Sequence, residues 1–160
     1  ELLLLTGFSP DSPVVLEKMP LPDVSRAALV NPKEDRQQAL GNNYELRSGR
    51  MGNAGSNQEL HKKQRQTELD ENQMFASLET LGDQVRSCQA EWEAACAKEQ
   101  AQRAVWQSAV RKRKLGTMAE GEYLEIYSQY MEEKGNQAQA SIRFLLAMEE
   151  YDWAKKGLMD

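Results

Sequence analysis

Apolar residues between positions 74 and 95 recur at alternating steps of four and three along the chain. This spacing is the a/d pattern of a helix that packs along its length against another helix. We call these residues the apolar seam: Met74, Leu78, Leu81, Val85, Cys88, Trp92 and Ala95. Beyond the seam, small residues follow at similar spacing, and we interpret them as its continuation, which lets a neighbouring helix approach closely: Ala97, Ala101, Ala104 and Ser108.

The seam lies in a long predicted helix. From Asn57 to Leu115 only Gly82 disfavours helix, and the stretch would be about 90 Å long if it were fully helical. Gly116 then predicts the helix end, because glycine readily adopts the left-handed conformation of a C-cap, and four cations at 111–114 suit the negative end of the helix dipole. Leu115, Gly116 and Thr117 therefore form a predicted turn.

A second helix is predicted directly after this turn. Thr117 is placed to cap its first turn and Glu120 to complete a capping box, and the helix runs to about Lys156 and stops at Gly157. So short a connection requires antiparallel neighbours, so the pattern predicts a long helical hairpin. The face expected to pack inward consists of Leu124, Tyr127, Met131, Ala138, Ile142, Leu145 and Met148.

The part of the chain before the hairpin divides at Asn31-Pro32, which predicts a helix start. Residues 1–31 are interpreted as the end of an earlier helix, Leu2 to Leu5 before Gly7, followed by an extended connector with four prolines. Residues 32–160 form the hairpin domain. Its first helix is expected to run from 33 to 115, with a kink at 52–57 as the rival interpretation, because glycines cluster there.

Composition favours extended helices with a narrow apolar stripe, since charged residues make up 28% and aromatic residues only 7% of the chain. The net charge of −5 gives no indication of nucleic acid or an anionic membrane as partner. No stretch is long and apolar enough for a membrane-spanning helix. The chain lacks an initiating Met and a basic leader, and we expect it to begin within a larger protein.

No residue set in the sequence predicts catalysis, a cofactor or a metal. His61 is the one histidine and stands among cations, and Cys88 and Cys96 lie too far apart on one helix to form a disulfide and have no matching ligands. Adjacent acids such as Glu149 and Glu150 point in different directions on a helix. The basic run at 111–114 is better explained by the helix dipole than by nucleic acid. We expect a protein that is not an enzyme.

Several motifs, taken in order, resemble the second repeat of TolC-type outer-membrane efflux proteins. The turn Leu115-Gly116-Thr117 is followed by Glu122-Tyr123-Leu124, and the return helix ends in Ala147-Met148-Glu149-Glu150-Tyr151-Asp152-Trp153-Ala154 and Gly157. Upstream, Leu4-Leu5-Thr6-Gly7 resembles the junction between repeats, and Ala39-Leu40-Gly41-Asn42-Asn43-Tyr44-Glu45-Leu46 resembles a repeat opening. The resemblance spans nearly the whole chain.

The resemblance implies a cell-envelope protein, periplasmic or associated with the outer membrane, that assembles as a trimer. It also implies that Leu115, Gly116 and Thr117 contact the hairpin of a periplasmic adaptor protein. One difference stands out: around Gly52 to Asn57, where the family inserts outer-membrane strands, no alternating strand pattern of about ten residues exists. We therefore expect the helical part of the family's architecture without its β-barrel. The alternative is a general coiled-coil scaffold unrelated to export.

Overall fold

The computed structural model describes residues 20–51 and 55–158, and this part of the chain consists of helices and connections without a strand. The helices are α1 (Val24–Ala27), α2 (Pro32–Asn42), α3 (Tyr44–Met51), α4 (Asn57–Lys114) and α5 (Glu120–Lys155). The long helices α4 and α5 pack against each other as an antiparallel hairpin, so the predicted fold class is confirmed. The expected helix end at Leu2 to Gly7 lies outside the described residues.

Side-chain hydrogen bonds define the start of α4, and glycines with positive φ define the ends of α4 and α5. The Ser56 hydroxyl accepts a hydrogen bond from the Glu59 N–H, and the Glu59 carboxylate accepts one from the Gly55 N–H at 2.9 Å. These bonds satisfy N–H groups that have no partner inside the helix. At the far end Gly116 has a φ of 71°, and at the end of α5 Gly157 has a φ of 82°. Both predicted helix ends are confirmed.

The expectation of one continuous helix from 33 to 115 is wrong. The first break comes at Asn43, whose backbone is extended with a ψ of 117° and whose side-chain oxygen accepts from the Leu46 N–H at 2.9 Å. The second lies at Gly55 and Ser56, directly before α4 begins at Asn57, and falls within the region 52–57 of the rival interpretation. At each break one side chain accepts a hydrogen bond from an N–H in the first turn of the next helix, which offsets part of the cost of interrupting the helix.

The core of the hairpin lies along the apolar seam. Met74, Leu78 and Val85 are buried, and the other seam residues are half-buried. From α5, Phe144 and Tyr151 are fully buried against them, and the rings of Trp92 and Phe144 have centroids 5.8 Å apart. Burying such large side chains supplies the main stabilisation of the hairpin.

Two expectations about the core are wrong in their helical phase. After Ala95 the core continues through Glu99, Gln102, Trp106 and Ala109, while Ala97, Ala101 and Ala104 are exposed and Ser108 is half-buried. On α5, of the predicted face only Met148 is buried; Ala138 and Leu145 are half-buried, and Leu124, Tyr127, Met131 and Ile142 are exposed. The buried residues of α5 are Tyr130, Ser141, Phe144, Ala147, Met148, Tyr151 and Ala154.

The physical reason is that each long helix carries two stripes spaced for helix packing. On α5, the stripe that faces α4 contains the aromatic residues Tyr130, Phe144 and Tyr151. These bury more apolar surface than the competing stripe, so they decide which face turns inward.

The described part of the connector folds back onto the base of the hairpin. It is not wholly extended as predicted, because Asp23 caps a single helical turn, α1, whose Ala27 is buried. Arg26 reaches α5 and forms ion pairs with Glu149 and Asp152. In α2, the Asp35 carboxylate accepts a hydrogen bond from the Tyr151 hydroxyl at 2.7 Å and pairs with Lys155.

Two glycines allow this close packing at the base. A Cβ on Gly82 of α4 would lie 2.6 Å from Cγ of Pro32, and a Cβ on Gly157 would lie 2.5 Å from the backbone of Asn42 and Asn43. Either distance is far inside normal contact, so α2 can approach only because both positions lack a side chain. Among the described residues, no helix is long and apolar enough to cross a membrane.

Candidate functional site

The turn between the long helices is an ordered end of the hairpin, here called the tip (residues 115–119). The Thr117 N–H and hydroxyl both donate to the Lys112 carbonyl, at 3.0 and 3.1 Å, and the Gly116 N–H donates to the Arg113 carbonyl at 3.0 Å. These bonds satisfy carbonyls at the end of α4, which have no partner inside the helix. The tip therefore has a defined shape.

The predicted capping role of Thr117 is wrong. The N-cap of α5 is Ala119, which makes no side-chain capping bond. Thr117 instead caps the end of α4, because its hydroxyl donates a hydrogen bond to the Lys112 carbonyl. Glu120, expected to complete a capping box, forms an ion pair with Arg113 at 2.8 Å and so joins the two helices across the turn.

The tip presents an apolar side chain to solvent among charges. Leu115 is 77% exposed, and Gly116 and Thr117 beside it are also exposed. The side chains of Arg111, Lys112 and Lys114 are exposed around it. An exposed leucine surrounded by basic side chains can insert into an apolar recess of an acidic partner.

An aromatic cluster lies between α4 and α5 next to the tip. The Trp106 ring stacks on Tyr130 with centroids 4.9 Å apart, and Tyr127 lies beside both Trp106 and Tyr123. The Arg113 guanidinium lies over the Tyr123 ring at 4.3 Å. Stacking and cation–π contacts of this kind hold the ends of α4 and α5 in register.

Sequence reasoning missed this cluster. Trp106 continues the steps of three and four that run from Trp92 through Ala95, Glu99 and Gln102, so the signal was present in the pattern. Two successive positions of this pattern, Glu99 and Gln102, are polar, and this hid the signal. Glu99 is nevertheless buried, with its carboxylate paired to Arg103. The run of alanines one position away offered a more uniform but incorrect continuation.

The remaining candidate groups are dispersed. His61 is exposed, Cys88 and Cys96 are half-buried free thiols, and burial raises the pKa of the Cys88 thiol. Among the described residues, no three potential ligands are grouped so that they could hold a metal ion. An open groove at the base, between α3, α4 and the end of α5, is lined by Tyr44, Leu81, Trp153 and Leu158 among others.

Comparison of the chain with family models, with curated proteins and with solved structures returns no match.

Proposed function

We propose that this chain is a non-enzymatic protein of the cell envelope that works by contact, similar to the helical part of TolC-type efflux ducts. Copies assemble through their helices, as a trimer if the family pattern holds, and the tip docks onto a helical hairpin of a periplasmic adaptor-type protein. The observation that carries this proposal is the tip: an exposed Leu115 on a hydrogen-bonded glycine turn.

The physical basis of docking is a rigid apolar anchor. The bonds to Lys112 and the Arg113 ion pair hold the turn before any partner arrives, so little conformational entropy is lost on binding. The basic side chains at 111, 112 and 114 would steer an acidic partner to the tip and keep that attraction sensitive to salt.

Binding of a purified periplasmic adaptor protein from the same organism tests the docking role. Leu115→Asp should weaken binding at least tenfold, measured by calorimetry, because it places a like charge where an acidic partner approaches. Leu158→Asp is the matched control, since Leu158 is also an exposed leucine but lies at the other end of the molecule. Equal affinity of wild type and Leu115→Asp would refute docking through the tip.

The competing function is a coiled-coil scaffold unrelated to export, which the long hairpin core favours equally. Gly116→Ala separates the two functions, because a Cβ at Gly116 meets nothing within 4 Å and strains only the positive φ. A docking tip predicts loss of adaptor binding with helicity retained. Absence of adaptor binding by the wild type, together with recovery of the protein in the cytoplasmic fraction, would favour the scaffold.

A further inference from the structure

The open groove at the base of the hairpin combines three kinds of side chain, and we call it the base groove. It has a volume of about 790 Å³ and is lined by the start of α3, one face of α4 and the end of α5. This volume is within the range of sites that bind small organic molecules. The lining includes aromatic rings, aliphatic side chains and carboxylates: Tyr44, Glu45, Leu81, Glu150, Trp153 and Leu158.

Large apolar side chains of the base groove are exposed to solvent in the single chain. Tyr44, Trp153 and Leu158 are 79%, 49% and 61% exposed. Leu81, which packs against the hairpin core, is half-buried. Apolar groups that gather around one concavity and remain in water are typical of a surface that binds a ligand.

The charged side chains of the base groove are acidic. Glu45 and Glu150 contribute carboxylates, and no lysine or arginine is among the described residues of the lining. The Glu150 carboxylate accepts a hydrogen bond from Gln84 at 3.4 Å, and Glu45 forms no hydrogen bond or ion pair within the described part of the chain. Two carboxylates without a cationic partner attract a cation to the groove and repel an anion.

Trp153 already contacts a cation of the chain itself. Nζ of Lys156 lies 4.7 Å from the centroid of the Trp153 ring, which is a cation–π contact. Lys156 does not line the base groove, whereas Trp153 does, so part of the ring remains open to a second cation. The neighbouring Lys155 pairs instead with Asp35 of α2.

From these observations we infer that the base groove binds a small organic cation with an apolar body. The apolar body would contact Leu81, Trp153 and Leu158. The positive charge would lie against an aromatic ring and near Glu45 and Glu150. The inference goes beyond the proposed function and does not depend on it, because the groove and the tip lie at opposite ends of the hairpin.

Calorimetric titration of the 160-residue chain with tetraphenylphosphonium tests the inference. Tetraphenylborate is the matched control, because it has the same shape and the opposite charge. We expect one site for the cation with a Kd of about 100 µM or lower, and binding of the anion that is weaker by about tenfold or more. Equal binding of the two ions, or no binding of the cation, would overturn the inference.

Variants of the lining locate the site. Glu45→Gln and Glu150→Gln in one protein should weaken binding of tetraphenylphosphonium about tenfold, because both charges are lost while the side chains keep their size. Trp153→Leu should weaken it about fivefold and Trp153→Phe less, since phenylalanine retains a ring. The control is Glu125→Gln, an exposed acid of α5 near the tip. Equal affinities of the double variant and Glu125→Gln, with circular dichroism unchanged, would contradict binding in the groove.

Lys156 provides a test of opposite sign. Lys156→Met should strengthen binding of tetraphenylphosphonium about two- to threefold, because it removes a like charge from the ring that the ligand contacts. Lys134→Met is the control, since Lys134 is an exposed lysine of α5 far from the groove. Weaker binding by Lys156→Met, or an equal gain for both variants, would count against the inference.

Nuclear magnetic resonance of the isotope-labelled chain distinguishes the cation from other occupants. The indole N–H signal of Trp153, assigned with Trp153→Phe, should shift during the titration, while those of Trp92 and Trp106 stay in place. A shift of the Trp153 signal with protein concentration alone would show that a second copy covers the groove, and would overturn the inference. Leu115→Asp should leave cation binding unchanged, so that failure of adaptor docking and failure of the groove are told apart.

Discussion

At the scale of single residues, the base of the hairpin depends on positions that lack a side chain and on one buried hydroxyl. A Cβ at Gly82 would lie 2.6 Å from Cγ of Pro32 in α2, which is too close for any side chain. A Cβ at Gly41 in α2 would meet nothing within 4 Å. Both glycines lie inside helices, so intrinsic propensity favours alanine equally at both. Their different surroundings separate the effect of packing from the effect of propensity.

We expect Gly82→Ala to lower the free energy of unfolding by about 1–3 kcal/mol, because the new methyl group pushes α2 away from α4. Gly41→Ala should raise it by up to about 1 kcal/mol, since nothing opposes the better helix former. Urea denaturation followed by circular dichroism measures both. A gain in stability for Gly82→Ala would mean that Pro32 does not pack against α4.

Tyr151 gives the fold a defined response to alkaline pH. Burial raises the pKa of its hydroxyl above the ordinary value of 10.0, and the hydrogen bond to the Asp35 carboxylate raises it further. The folded chain therefore retains this proton at a pH where the unfolded chain loses it. Its contribution to stability is complete below pH 10 and declines as the pH rises above that value.

Tyr151→Phe removes this response. The urea midpoint of the wild type should fall more steeply above pH 10 than that of the variant, and the two slopes should agree between pH 7 and pH 9. Tyr44→Phe is the control, because Tyr44 is 79% exposed. Parallel curves for wild type and Tyr151→Phe above pH 10 would show that the Tyr151 hydroxyl is not protected by folding.

At the scale of helices, the sequence predicted where the hairpin turns and ends and which face of α4 packs inward up to Ala95, but not the inward faces beyond that residue or on α5. Gly116 and Gly157 have positive φ values, and this property of the backbone does not depend on which side chains pack nearby. Beyond Ala95, each helix has two stripes that are both spaced for helix packing, and either could turn inward. The stripes that carry large aromatic residues on α4 and α5 pack against each other and so determine the inward face of both helices. The break at Asn43 was not predicted either: the Asn43 side chain caps the next helix, and Gly157, which follows α5, packs against the backbone there.

Trp106 is the residue on which the missed phase can be checked. Trp106→Ala should cost about 2 kcal/mol or more, because it leaves a gap beside Tyr130 and Tyr127. Trp106→Phe should cost much less, since the buried indole N–H has no hydrogen-bond partner to lose. Val105→Ala, at a neighbouring exposed position, is the control in the same thermal denaturation experiment. Equal costs for Trp106→Ala and Val105→Ala would contradict the aromatic cluster.

At the scale of the whole molecule, α4 is longer than its partner helix. α4 has 58 residues and α5 has 36, and α4 ends where α5 begins, at the tip. The first part of α4 therefore runs past the end of α5, where the described structure gives it α3 as a neighbour through the ion pair between Arg50 and Glu71. Few buried side chains lie in this part: Leu60 and Leu69 are 43% and 63% exposed.

Hydrogen exchange should follow this difference in packing. Amides of residues 57–69 should exchange at least a hundredfold faster than those of 85–109, because local opening there exposes little apolar surface. Mass spectrometry of peptic fragments resolves the two regions. Equal protection would show that another segment or another copy covers the start of α4.

The two stripes on each helix also restrict how the length of this protein can change. One extra residue in α4 between Trp92 and Trp106 would rotate everything on one side of it by about 100°, which moves Trp106 away from Tyr130 and out of the core. Seven extra residues restore both stripes, but only if α5 gains seven opposite them to keep its rings level with those of α4. Length variation in relatives should therefore come as paired heptads, placed at equal distances from the tip.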